Sequence, residues 1–299
     1  MLKADSARNR LVGIGIISIC FLCFALLDCG AKWLVKTLPV LMVVWFRFFF
    51  HALLATALFA GELTKGLPRP RKLKLQLLRA CFLPLMTGFN FWALQYLQLA
   101  ETGAIQFSVP ILIALFAAPM LGERMDRARW VAISLGFVGV LIIVRPGTEG
   151  FHPALILSLV NAVLYALYNL ITRHLAAHDS PEVTQFITSI GATVIMTPFA
   201  LAALDLSAPT AFQWAVLVAI GLFGGLGHYL IAVAHKYAPA NVLAPFLYQQ
   251  IIWMVLLGYL VFGDLPDAPV VIGCVIVIAS GGYLLYRERR TSPGGSQPT

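Results

Sequence analysis

The sequence is 299 residues long, 60% hydrophobic and only 11% charged, with 21 basic against 13 acidic side chains. Its mean hydropathy is +0.86. A water-soluble globular domain carries about 25% charged residues, so this composition excludes an ordinary soluble fold and points to a chain that lives in a bilayer.

Apolar stretches long enough to cross about 30 Å of hydrocarbon at about 1.5 Å per residue recur along the whole chain. They predict helices at 11–34, 40–60, 75–97, 102–121 and 129–144, then at 153–174, 183–204, 212–234, 241–262 and 269–286. The first follows a basic segment with Lys3, Arg8 and Arg10, runs on past Asp28 and has no small-residue cleavage site, so it reads as a retained helix rather than a signal peptide. The connections are short and marked by prolines such as Pro39, Pro68, Pro70, Pro146, Pro153, Pro181, Pro209, Pro239 and Pro266. Cys20, Cys23, Cys29, Cys81 and Cys274 show no metal-ligand spacing, and the Cys20–Cys23 pair reads as small packing residues on a membrane helix. The expectation is an all-α membrane protein of ten transmembrane helices, with no cofactor and no metal.

With the N-terminus placed inside, Lys and Arg fall in alternate connections. The inner set holds Lys3, Arg8, Arg10, Lys65, Arg69, Arg71, Lys72, Lys74, Arg79, Arg124, Arg127, Arg129, Arg173, Lys236, Arg287, Arg289 and Arg290. The outer set holds Lys32, Lys36 and Arg145, and Arg47 remains inside a helix. The formal charge of +8 is therefore a signature of topology and not of nucleic-acid binding. A bacterial inner-membrane location with both termini cytoplasmic is expected.

The sequence also repeats. At an offset of about 138, Asn90-Phe91 falls on His228-Tyr229 and Leu99-Ala100 on Tyr237-Ala238; after a small gap Gly122-Glu123 meets Gly263-Asp264, Gly139 meets Gly281 and Arg145 meets Arg287. At an offset of about 141, Ala25, Asp28 and Lys32 lie on Ala166, Asn169 and Arg173. The halves are read as 1–148 and 149–287, followed by a disordered cytoplasmic tail at 288–299. Each half has an odd number of spans, so the second enters the membrane from the opposite side. Two such inverted bundles can exchange an inward-open for an outward-open arrangement around a midplane site.

The ten spans, the doubled repeat, the stretch from Pro110 to the Leu121-Gly122-Glu123-Arg124 ending, and the ninth span from Ala244-Pro245 to Gly263-Asp264 resemble the drug/metabolite transporter superfamily with two EamA-type repeats. The second copy departs from that pattern in carrying Asp264 where the family usually has Glu. The resemblance covers essentially the whole chain. It implies a transporter of a small organic solute, a class that includes amino acids, nucleotide-derived metabolites, riboflavin and drugs. Paired acid and base, metal constellation, activated nucleophile and P-loop are all missing from the sequence, which argues against an enzyme.

Polar side chains inside a bilayer are costly and mark pairing or a wet cavity. Asp28 and Arg47 fall in the outer half of the first two spans, where they can meet as an ion pair, structural or gating, although the sequence alone does not settle contact. The third and eighth spans carry Asn90, Trp92 and Tyr96 against His228 and Tyr229, the sixth carries Tyr165 and Asn169, and the ninth carries Tyr248, Gln249, Gln250 and Trp253. These residues predict an aromatic, hydrogen-bonding cavity, uncharged at its centre, suited to stacking a planar ring. His228 is either a neutral hydrogen-bonding residue or a proton-coupling group. The expected solute is a planar heteroaromatic such as riboflavin, with hydrophobic or aromatic amino acids as the alternative and a non-transporting membrane sensor or structural role as a different class. The only partners expected are the solute and the lipid, with the protein a monomer or homodimer.

Overall fold

A computed structural model describes residues 6–58, 61, 70–121, 127–175, 178–203, 209–238 and 243–291. The described helices are α1 (Ala7–Leu34), α2 (Val40–Leu58), α3 (Leu73–Leu94), α4 (Leu99–Gln106), α5 (Val109–Leu121) and α6 (Arg127–Val144) in the first half. The second half has α7 (Ala154–Leu175), α8 (Pro181–Ala202), α9 (Ala211–Tyr237), α10 (Gln250–Leu257) and α11 (Ala268–Thr291). Seven stretches are long and apolar enough to cross a membrane, α4 and α5 together supplying one, and three shorter apolar helices lie at Trp130–Val144, Phe246–Phe262 and Ala268–Leu284. They coincide with the ten predicted spans. The chain is a multi-pass membrane protein.

Two of these spans are broken, and both breaks have a cause in the sequence. Pro110 has no N–H to give to the carbonyl of Gln106, so the ladder fails there. Phe107 makes the last regular bond of α4, to Gly103 O at 3.2 Å, and the turn then tightens as both the N–H and the hydroxyl of Ser108 donate to Ile105 O. In the ninth span Pro245 sits in the first turn of a 3-10 segment, Ala244–Gln249; regular helix follows as α10, and a π turn, Gly258–Phe262, ends at Gly263 with φ +71. That left-handed conformation suits glycine. Local caps start other helices: Ser6 Oγ accepts from Asn9 N, Ser180 Oγ accepts from Val183 N, and Thr210 with Gln213 forms a reciprocal capping box.

The packing repeats as the sequence does. α1 lies along α9 while α3 lies along α7; α2 packs on α9 while α8 packs on α3; α10 touches α1 while α5 touches α7. Exchanging the halves converts each contact into its partner, and α2–α8, α4–α10 and α6–α11 convert into themselves. This is the pattern expected of two repeats related by an axis in the membrane plane. The helix α11 runs through residues 288–291, and the remainder of the predicted tail lies outside the described residues.

Small residues set the closest helix approaches, as they do when lipid supplies no hydrophobic drive. A Cβ on Gly139 would stand 2.9 Å from Gly273 O, and one on Gly273 would stand 2.6 Å from Gly139 O. The α6–α11 pair is further tied by Ser280 Oγ donating to Ala132 O at 2.5 Å. A valine at Gly273 would force the two backbones apart. Gly273→Val is expected to cost about 1–3 kcal/mol of stability, read as a lower melting temperature of the detergent-solubilised protein.

Candidate functional site

A cavity of about 570 Å³ opens between the halves. α1 contributes Ile17, Phe21, Phe24 and Asp28, α2 contributes Arg47, and α3 contributes Met86, Thr87, Asn90 and Phe91. Gln106 and Pro110 come from the break between α4 and α5, Asn161, Tyr165 and Asn169 from α7, His228 and His235 from α9, and Gln250 and Met254 from α10. The broken spans therefore place an amide at each interruption. The α4–α10 crossing beneath them is tight, since a Cβ on Gly103 would stand 2.6 Å from Met254 Sδ.

Of the residues singled out in the sequence, Asp28, Arg47, Asn90, Tyr165, Asn169, His228 and Gln250 are brought together on this wall. Trp92, Tyr96 and Tyr229 are not, being 39%, 63% and 37% exposed on the outside of the bundle. The reason is helical phase: at about 100° per residue, Trp92 points almost opposite to Asn90, and Tyr229 is turned a quarter of the circle from His228. Tyr96 stacks on His152 with ring centroids 5.3 Å apart. On the ninth span the inward face is Leu247, Gln250 and Met254, not Gln249 and Trp253. Trp253 packs into the apolar core formed by α1, α2, α3 and α9, and Tyr248 wedges between Phe107 and Gly281. Gln106 carries no flag in the sequence beyond its place four residues before Pro110, and Thr87 carries none.

Asp28 and Arg47 share the cavity but make no ion pair. Asp28 Oδ1 accepts a hydrogen bond from Asn90 Nδ2 at 2.9 Å, while the Arg47 guanidinium lies over the ring of its own neighbour Phe48 at 4.0 Å. The expected uncharged centre is thereby corrected, because both signs of charge reach the wall. Arg47 is 4% exposed, and its Nε and Nη1 have no hydrogen-bond partner. Its position depends on glycines of α9: a Cβ on Gly221 would stand 3.1 Å from Arg47 O, and one on Gly224 3.2 Å from Arg47 Nη2. Behind it, His51 stacks parallel on His228 at 5.8 Å and pairs with Gln185 Nε2 at 2.6 Å; His228 also meets Phe24 edge-on at 5.3 Å.

The two ends of the cavity differ. At the face where α1 ends, Lys32 Nζ lies 2.5 Å from Asp264 Oδ2, donates to Leu97 O at 3.0 Å and stands over Phe262 at 4.8 Å. Gln95 Nε2 donates to Val35 O at 2.7 Å, and Arg145 pairs with Asp267 at 2.7 Å. These contacts join α1, the α3–α4 connection, the α6–α7 connection and the segment between α10 and α11. Toward the face where α1 begins, the cavity wall extends down to Ile17, His235 and Leu243. There a separate polar network holds α3, α7 and α8: Arg79 bonds to Tyr168 OH, Thr188 Oγ1 and, at 2.7 Å, Thr172 Oγ1, and Gln76 Nε2 reaches Asp179 and Thr184 at 2.9 and 3.0 Å.

This architecture defines a solute carrier built from two inverted repeats around a cavity between the halves. The EamA-like transporter family model matches the chain twice, over residues 11–145 and 152–286, and the chain belongs to that family. The sequence is 28% identical over 290 residues to the S-adenosylmethionine uptake transporter of Rickettsia bellii, covering 96% of this chain and 97% of that protein. It is 31% identical over 205 residues to the riboflavin transporter of Vibrio cholerae, covering 67% of each. A crystal structure of another protein shares the fold with a TM-score of 0.65 at 19% identity, over 96% of this chain and 100% of that one. The protein is a transporter rather than an enzyme.

The Arg79 network makes a stability prediction. Arg79 is 5% exposed and is held by neutral hydroxyls. Hydrogen bonds to a charged group contribute about 1.5–3 kcal/mol each, and removing Arg79 loses all of those it makes, whereas Thr172→Val loses one. Arg79→Leu is expected to lower the melting temperature more than Thr172→Val does, by roughly twofold or more, in the same detergent.

Proposed function

We propose that this protein is an alternating-access carrier of the bacterial inner membrane, with both termini cytoplasmic, that moves a ring-bearing polar metabolite. S-adenosylmethionine is the first candidate solute. The supporting observation is the cavity itself: about 570 Å³, a size typical of small-molecule sites, walled by Phe21, Phe24, Phe91 and Tyr165 and studded with amides. The Rickettsia relative aligns over nearly the full length of both chains, which favours its solute over riboflavin. Riboflavin is the second reading, favoured by the Vibrio relative and by the aromatic wall. Export of aromatic amino acids is the third.

With the N-terminus inside, the described arrangement is the inward-facing one, and the Lys32–Asp264 pair is the outer seal. The repeats, 1–148 and 149–287, are then the two halves that rock against each other, with 288–299 as a cytoplasmic tail. Lys32 is buried, so separating it from Asp264 without replacement is unfavourable. Opening to the outside requires that another contact or water take over its charge.

Uptake of labelled S-adenosylmethionine into proteoliposomes containing the purified protein tests the solute. Saturable uptake that excess riboflavin does not block is expected; riboflavin uptake alone would replace the first candidate with the second. For the seal, Lys32→Ala is expected to slow uptake by about fivefold or more by displacing the balance between the two states. The exchanged pair Lys32→Asp with Asp264→Lys is expected to recover part of that loss, and a fully active Lys32→Ala would remove the seal from the mechanism.

A further inference from the structure

We infer that Arg47 and Asp28 are the receptors for the two charged ends of an α-amino-acid head, so that the solute class is a metabolite carrying a free carboxylate and a free ammonium beside its ring. The inference deepens the reading above and rests on the solute occupying this cavity.

The starting point is a buried charge with no anion paired to it. A guanidinium removed from water is unfavourable by several kcal/mol unless an anion or a full set of acceptors surrounds it. Arg79 has such acceptors in its hydroxyls, and Lys32 has Asp264 and Leu97 O. Arg47 is as deeply buried as either, yet Nε and Nη1 are without partners. It lines the cavity, but Nε and Nη1 have almost no surface open to it; a small turn of the side chain would bring them to the wall, where a visiting anion would supply what the protein does not. A planar guanidinium offers a forked set of donors that matches a carboxylate in two parallel hydrogen bonds.

Asp28 supplies the complement. Asn90 occupies Oδ1, and among the described residues Oδ2 has no hydrogen-bond partner. The carboxylate faces the same cavity and does not neutralise Arg47 through an ion pair. Asn90 donates to Asp28 and so holds it in place while leaving one oxygen for an ammonium. A solute bearing only negative charge, such as a phosphate ester, would meet Arg47 but be repelled by Asp28. A neutral solute such as riboflavin would leave both charges unanswered. A zwitterionic head answers both, and the ring has Phe21, Phe24 and Tyr165 to lie against.

The test uses the full chain in detergent and in proteoliposomes. Competition against labelled S-adenosylmethionine, and thermal stabilisation where no labelled solute moves, are measured for S-adenosylhomocysteine, its N-acetylated form, decarboxylated S-adenosylmethionine, 5′-methylthioadenosine and the proteinogenic amino acids. The wild type is expected to prefer compounds with an intact head over the decarboxylated and N-acetylated ones by roughly tenfold to a hundredfold, the range of a charge-assisted hydrogen-bonded contact. In Arg47→Met the preference against the decarboxylated compound should vanish; Arg47→Lys, which keeps the charge but loses the fork, should retain part of it. In Asp28→Asn the preference against the N-acetylated compound should shrink while that against the decarboxylated one persists. Melting curves of each variant separate loss of fold from loss of recognition. Equal competition by decarboxylated and intact compounds in the wild type would overturn the inference while leaving the S-adenosylmethionine reading standing. Riboflavin carried with no effect from any head-bearing compound would overturn both, as would no binding of any head-bearing compound in either assay.

Discussion

Hydrocarbon offers no hydrogen bonds, and every other feature of this molecule follows from that constraint. The backbone must satisfy itself within each span, so the chain folds as helices wherever it crosses. Where prolines deny that satisfaction, at Pro110 and Pro245, the freed groups are drawn into tighter or looser turns beside the cavity. The two interruptions fall in the fourth and ninth spans, which correspond under the repeat and cross each other at Gly103 and Met254. Irregular backbone at membrane depth is tolerated where it lines a cavity, and here it brings Gln106 and Gln250 to the wall.

The same constraint sorts the charged side chains. Lys32 is joined to Asp264 and a carbonyl, Arg79 to a set of hydroxyls, and Arg145 to Asp267, so each meets an anion or acceptors inside the protein, although Arg145 Nε is left without a partner. Arg47 and Asp28 are answered incompletely, and they are the two that face the cavity. Charged groups paired within the protein hold helices together at the ends, and the two charged groups on the cavity wall make no ion pair with each other. A carrier needs both kinds: contacts that define a closed end, and groups whose partner arrives from outside the fold.

The two ends are chemically unlike although the packing is symmetric. Around α3, α7 and α8 the contacts are polar, built from Arg79, Gln76, Asp179 and threonines. At the corresponding place on α9, α1 and α2 they are largely aromatic, with Trp33 against Phe212 and Phe46 against Trp214 at about 5 Å. Repeats that share a backbone plan can therefore differ in how strongly each end is held.

The sequence by itself determined the number of helices, their helical character and the doubling of the chain, because span length and apolar content are local properties and a repeat is a matter of letters alone. It also brought forward Asp28, Arg47, Asn90, Tyr165, Asn169 and His228, since a polar group in hydrocarbon is conspicuous wherever it points. The tertiary structure decided how each helix is rotated. In a soluble protein an amphipathic stripe reveals the inner face, but here lipid and core are equally apolar, and nothing in the local pattern separates Gln249 and Trp253 from Gln250 and Met254, or Trp92 from Asn90. Rotation was settled by contacts distant in the chain: Met254 against Gly103, Arg47 against Gly221 and Gly224, and Asn90 against Asp28. The separation of Asp28 from Arg47, and with it a cavity bearing both charges, was decided at that same level, by which neighbour each side chain finds once the helices are packed.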